Sequence, residues 1–196
     1  MRVIRSSEYR RMPWKNGGGE TIEIAVSPSG ATLDNFDWRV SMARVDAPGP
    51  FSVFPETDRS LAVLQGEGLR LRFSPDRIVS LSRDTAPFSF AADVPVEAEL
   101  IDGAIVDLNV MTRRGKFEHR LTRAHLKEPI GLTADTDVTL VLVQESSIDV
   151  QGSGPETCLS PGDALIVDGH EPRVELIPHA PTTLMIARMW RSEEGD

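Results

Sequence analysis

Leu159-Ser160-Pro161-Gly162-Asp163-Ala164-Leu165-Ile166-Val167 sets a Gly-Asp turn directly before an uninterrupted apolar strand. Short alternating segments bounded by Gly, Pro, Asp and Ser recur on both sides of it: Thr21–Val26, Trp38–Val45, Leu61–Leu64, Leu69–Phe73, Ala104–Met111, Val138–Val143 and Thr183–Met189. A period of two with frequent turn residues predicts an all-β chain. The best helical candidate is the short stretch Phe117–Lys127, expected to link two halves. At an offset of 79 residues, Leu61-Ala62-Val63-Leu64-Gln65 lines up with Leu140-Val141-Leu142-Val143-Gln144. The same offset brings Leu69 and Leu71 onto Ile148 and Val150, Asp84 onto Asp163, and Val110-Met111 onto Met189-Trp190. One offset held over fifty residues predicts two copies of one β unit, divided at residues 1–118 and 119–196.

The Gly162-Asp163 turn and its strand resemble the opening of the second cupin motif, and Leu64-Gln65-Gly66-Glu67-Gly68 resembles the turn that ends the first. The resemblance implies two jelly-roll barrels in one compact chain, a bicupin, each with a lumen able to hold a ligand. Cupin enzymes usually hold a metal ion with two His and a Glu from the first motif and a His from the second. Counted from Gly66, those positions fall on Val53, Pro55 and Arg59; in the second copy they fall on Leu132, Ala134 and Val138. The last His position falls near Val94 in the first copy and on Arg173 in the second. No ligand type stands at any of them, and His119, His125, His170 and His179 are scattered, so no metal and no cofactor are expected. With one cysteine, Cys158, no internal disulfide forms and a cysteine-based zinc site is excluded; its neighbours Leu159 and Pro161 suggest a buried or half-buried thiol.

Arg59 exchanges a carboxylate that would bind a cation for a guanidinium that binds anions. A buried arginine needs a partner, either a protein carboxylate such as Glu23 or Asp58, or a ligand. Alternation puts Arg39, Ser41 and Ala43 on one strand face, and Asp107, Asn109 and Met111 on one face of another. Trp14-Lys15-Asn16-Gly17-Gly18-Gly19 is either a flexible turn or a set of free amides that cradles an anion. It is no P-loop, because neither Gly-Lys-Ser/Thr nor a helix follows. Trp14 is placed to lid a mouth or to pack in a core.

Four ordered blocks, Trp14–Ile24 (WKNGGGETIEI), Phe36–Ser41 (FDWRVS), Gly49–Arg59 (GPFSVFPETDR) and Asp107–Gly115 (DLNVMTRRG), are together similar to the HutD/Ves family. They cover residues 1–115; the second half matches in architecture alone. Glu56 departs from the pattern, standing where similar proteins often have glycine. The resemblance implies a metal-free bicupin tied to bacterial histidine utilisation that binds a pathway intermediate, N-formylglutamate, and limits pathway activity. Ligand-binding residues are accordingly expected at Arg59, Arg39, Asn109, Asn16, Glu23 and Trp14, with no catalytic residue. The alternative is a metal-independent cupin enzyme, an isomerase or hydrolase acting on a small anionic metabolite, with Glu23 or Asp107 as base.

The net charge of −9 lies wholly in residues 131–196, which hold 3 basic and 12 acidic residues against 18 of each before them. Such a surface repels phosphate backbones, so nucleic acid is not an expected partner. No apolar run approaches a membrane span, and the first residues, MRVIRSSEYRRMPW, lack a signal-peptide core. A cytoplasmic protein is expected, with a small anionic metabolite as partner and no membrane; a homodimer is left open.

Overall fold

The computed structural model describes residues 1–15, 17–133, 135–169 and 173–192. Asn16, Ala134 and His170, singled out above, lie outside the described residues. The chain is all-β apart from one 3-10 turn at Ser6–Glu8 among the described residues. Among the described residues no helix is long and apolar enough to cross a membrane.

Two compact units emerge. One comprises Arg10–Glu118 with Ser192; the other comprises Met1–Tyr9 and His119–Arg191, so the first strand of the chain belongs with its last third. In the first unit a six-stranded sheet runs in the order Arg10–Pro13, Gly19–Ser27, Trp38–Val45, Ile105–Arg113, Thr57–Gln65, Phe88–Ala91. It faces a four-stranded sheet ordered Gly49–Pro50, Glu97–Leu100, Leu69–Ser74, Arg77–Leu81. Ala43, Leu61 and Val63 from the first sheet and Leu69, Leu71 and Ala98 from the second share one core. The other unit repeats this plan. Its five-stranded sheet runs Arg2–Ile4, Ala164–Asp168, Val138–Val143, Thr182–Arg191, Phe117–Leu126, and its four-stranded sheet runs Ile130–Leu132, Val174–Pro178, Ile148–Gln151, Thr157–Leu159.

The internal echo is therefore a repeat of strand order. It slips by one residue in one place: Leu61 and Val63 point into the first core, whereas Val141 and Val143, not Leu140 and Leu142, point into the second. Because side chains alternate along a strand, that single residue reverses the faces. Hydrogen bonding among the described residues leaves the two sheets of each unit separate and does not close them into a ring.

The helix expected at Phe117–Lys127 is instead the strand Phe117–Leu126. Phe117, Leu121 and Leu126 are buried in it, and the sheet supplies hydrogen bonds that a short polar helix would have had to find within itself. Glu56 has φ 52, in the left-handed region that favours glycine, the residue that the family resemblance leads one to expect there.

At the Gly-Asp turn, Gly162 has φ 88 and donates its N–H to Val143 O at 2.8 Å. Asp163 is buried, and its carboxylate accepts from Ser6 N–H (2.9 Å), Ser160 N–H (3.1 Å) and Arg5 Nη1 (2.7 Å). Burial alone would raise its pKa, but these donors hold the carboxyl below the usual carboxylate range. The turn thus ties the first residues of the chain to this unit. Replacing Asp163→Ala is expected to cost about 3 kcal/mol at neutral pH, the scale of a charge-assisted bond together with the donors left unpaired. Since the folded pKa is depressed, this contribution is present above about pH 4 and fades as pH falls through the folded value. Urea unfolding of both proteins at pH 7 and pH 3 should show the gap narrowing; an equal gap at both pH values refutes the assignment.

Candidate functional site

The inner face of the six-stranded sheet is polar at its centre. Its register sets the residues in rows. Glu23, Ser41, Asn109 and Leu61 lie in one row; Val26, Arg39, Met111, Arg59 and Phe90 lie in the next. Asp107 sits one row further on, between Ala43 and Val63. Two bulges aim this set, one between Glu23 and Ala25 and one between Val106 and Asp107. Each inserts a residue into one strand and so re-aims the side chains beyond it. Trp38, Val40, Leu108 and Val110, on the opposite face of the same strands, are buried as well.

Arg39, Arg59, Asn109, Asp107 and Ser41 are all buried. Arg39 Nε donates to Glu23 Oε2 at 2.7 Å, and its Nη1 donates to Ser41 Oγ at 3.3 Å. Arg59 Nε donates to Asn109 Oδ1 at 2.8 Å, and its Nη2 donates to the same oxygen. The guanidinium also lies 4.3 Å from the centre of the Phe51 ring, a cation–π contact. Asn109 Nδ2 in turn donates to Asp107 Oδ1 at 2.6 Å. Asp107 Oδ2 is a buried oxygen with no hydrogen-bond partner among the described residues. A single hydrogen-bonded line therefore runs from guanidinium through amide to carboxyl.

Of the two carboxylates expected to neutralise Arg59, neither does so. Glu23 pairs with Arg39, and Asp58 pairs with Arg114 at 2.9 Å. Arg59 meets its counter-charge in Asp107, through Asn109. Burial lowers the Arg59 pKa to about 10, against the pull of Asp107, and the like charge of Arg39 lowers it further. Burial also pushes the Asp107 carboxyl up to about 6, opposed by Arg59, Asn109 and the Ala43 amide. The two arginines flank Met111 from strands two places apart, about 10 Å between backbones at ordinary strand spacing.

Trp14 is half-buried, packs against the core of this unit and donates its Nε1–H to Thr21 Oγ1 at 2.8 Å. Of the glycines that follow, Gly19 is the one that space demands: a Cβ there would lie 2.0 Å from Arg44 O. Phe51 and the role of Asp107 as the end of the line were not legible in the sequence. Phe51 reaches Arg59 through chain crossing, although the alternation that grouped Asn109 with Asp107 did place that pair on one face.

The HutD family model matches residues 6–185. A Pseudomonas putida protein, named as an uncharacterized 21.2 kDa protein in the hutC 3' region, is 34% identical over 175 residues, 87% of this chain and 88% of that one. A Ves protein of Citrobacter koseri is 42% identical over 118 residues, 58% of this chain and 60% of its own. The solved structure of HutD from Pseudomonas fluorescens superposes with TM-score 0.82 at 29% identity, covering 98% of this chain and 99% of that one. An oxalate decarboxylase from Lactobacillus farciminis, at 7% identity, TM-score 0.65 and coverage of 97% and 86%, shares the cupin-like fold alone.

Stability should report the Asp107 titration. Its folded pKa of about 6 stands above the unfolded value near 4. Its contribution is thus fully present below about pH 4 and is lost as pH rises through 6. Asp107→Asn keeps an acceptor for Asn109 but cannot ionise. Between pH 5 and 7 the wild type should lose more unfolding free energy than the variant in urea titrations. Parallel pH profiles would show that Asp107 does not titrate in this window.

Proposed function

The chain belongs to the HutD family, and from that premise we propose that it binds a small anionic metabolite on the polar inner face of its Arg10–Glu118 unit, without catalysis as its primary role. N-formylglutamate, a dicarboxylate with an amide, is the ligand we favour, in keeping with a relative named for the hutC region and a neighbour named HutD. In this reading each unit is a cupin-type barrel, and the first is the one that carries the ligand.

The observation that supports binding most is a pair of buried guanidinium groups on one sheet face. Arginine's planar fork suits carboxylates. Arg39 is offset locally by Glu23. Arg59 is offset only at one remove, by a carboxyl whose pKa near 6 lets it lose its charge. Protonating Asp107 leaves the face with a net positive charge, so an anion gains most there. Glu23 positions Arg39 in this scheme, and Asn109 positions Arg59 with its Oδ1 while keeping one N–H beyond the bond to Asp107. Trp14 closes one end of the sheet beside Thr21. Asn16, outside the described residues, stays in the proposed set through its place in the Trp14–Ile24 block alone.

A second reading, a metal-independent enzyme, draws on the same raised pKa, since a base near neutrality suits proton abstraction. Against it, Asp107 has no exposed surface through which to meet a substrate. Incubation with N-formylglutamate or urocanate separates the readings, because a binding protein returns both unchanged.

Calorimetric titration with N-formylglutamate tests the site. Arg59→Lys should weaken binding about ten- to a hundred-fold, since a point charge lacks the fork, and Asn109→Ala should weaken it by a similar factor. Wild-type affinity should rise as pH falls through 6, and Asp107→Asn should flatten that rise. Unchanged affinity with a lowered melting temperature in Arg59→Lys would make Arg59 a structural residue and move the ligand elsewhere.

A further inference from the structure

The acidic excess of the last third and the lone cysteine are not used by the site above. Cys158 is exposed, not buried as its neighbours suggested, because it alternates with Leu159, which takes the inward position on the Thr157–Leu159 strand. Asp149 is its direct partner across the sheet, on Ile148–Gln151. On the other side of Asp149 the Val174–Pro178 strand pairs Ile177 with it, and His179 follows at once, its N–H donating to Ser147 O at 3.0 Å. Three adjacent strands thus bring a thiol, a carboxylate and an imidazole to one outer face. His179 Nε2 lies 2.8 Å from Asp149 Oδ2, and the three ligand atoms lie within 4.8 Å of one another.

We propose that Asp149, Cys158 and His179, a mixed set with one thiol and not the several cysteines that a single Cys excludes, form a binding site for a zinc-class divalent cation on the outer face of the Ile148–Gln151 sheet. The donor set selects the ion. Thiolate and imidazole prefer zinc and its neighbours to magnesium or calcium, which seek oxygen. Zinc bonds of about 2.0–2.3 Å in a tetrahedron hold ligand atoms about 3.3–3.7 Å apart. The Asp149–His179 pair needs to open and Cys158 to close by a fraction of that, within reach of exposed side-chain rotation.

The competing reading of these residues as a nucleophilic triad fails on order. The carboxylate of Asp149, not the imidazole, stands directly across the sheet from the thiol, so no base is placed to take its proton and pass it on. A cation suits two ligands that bear negative charge side by side, since it binds thiolate and carboxylate at once. Arg5, whose Nη1 donates to Cys158 O at 2.9 Å, is held by Asp163 at 2.7 Å. Residues 131–196 carry 12 acidic and 3 basic residues, a surface that concentrates cations. Three protein ligands leave a fourth position open, as at zinc sites that accept water or a further ligand.

Cobalt(II) titration of the full chain, freed of metal by chelation, provides the test. One equivalent should bind with the near-ultraviolet absorption of a cobalt–thiolate bond. Cys158→Ser should abolish that absorption, and His179→Ala and Asp149→Ala should each weaken cobalt binding at least tenfold; zinc should displace the cobalt. Arg59→Lys should bind cobalt as the wild type does, and the three site variants, altered on the outer face, should melt like the wild type without metal. Absence of the thiolate absorption in the wild type, or equal affinity in the three site variants, would overturn the proposal and leave only weak association with scattered carboxylates. A variant that melts early is replaced by His179→Gln, which keeps bulk and a polar tip but should still lose the affinity.

Discussion

Arg59, Asn109 and Asp107 form a hydrogen-bonded line within the core of the first unit, and the geometry around them follows from satisfying it. Burying a guanidinium and a carboxyl costs several kcal/mol each unless they are paired and hydrogen-bonded. Here they do not touch. Asn109 stands between them, its carbonyl toward the donor and its amide toward the acceptor, which is the one orientation that serves both. The register of Ile105–Arg113 with Thr57–Gln65 matters to this line, because a slip of Ile105–Arg113 by one residue would turn Asn109 and Asp107 to the face away from Arg59.

Electrostatic consequences spread from that line. Arg39, on the same row as Arg59, adds a second positive charge to a dry face and needs its own carboxylate, which Glu23 supplies at 2.7 Å. The bulge between Glu23 and Ala25 is what brings Glu23 opposite Ser41 and within reach of Arg39. One oxygen, Asp107 Oδ2, is left without a partner among the described residues, and burial holds its carboxyl near pH 6. An oxygen in that condition keeps the charge of the whole face adjustable around neutrality.

Much of this was written in the sequence as alternation. Period two put Arg39 with Ser41, and Asp107 with Asn109, on shared faces, and the strands keep those faces. The echo at 79 residues anticipated a repeat of strand order. It missed the one-residue slip between Leu61–Val63 and Val141–Val143, because apolar residues stand at both parities there and only packing decides which turn inward. The partner of Arg59 was beyond reach for a related reason. Asp58, next to Arg59 on the same strand, and Glu23, three strands away in the same sheet, are both charged, but Asp58 alternates outward to Arg114 and Glu23 is taken by Arg39. Phe117–Leu126 was misread because its apolar residues are few and its hydrogen bonds come from a distant part of the chain, neither of which a local window contains.

The second unit supplies an internal control on what the polar line is for. It has the same strand order, and its equivalent central strands, Val138–Val143 and Thr182–Arg191, send Val141, Val143, Leu184 and Ile186 into a core made of apolar side chains. The space between these sheets is therefore filled without a buried arginine; the unit's buried carboxylate, Asp163, stands at a turn and is paired with Arg5. The strand order itself does not require Arg39, Arg59, Asn109 and Asp107, although they tie the register of the first unit, and an apolar set of similar volume would be expected to hold the same order. Buried ionic groups that the fold does not require are costly unless something else uses them. The anionic ligand proposed above would be such a use, and it would account for why this polarity is confined to one copy of a repeated plan. The same contrast explains why the two sites proposed for this chain differ in kind: the unit with the charged interior offers fixed cations to an anion, while the unit with the dry interior keeps its chemistry outside, where Asp149, Cys158 and His179 offer ligands to a cation.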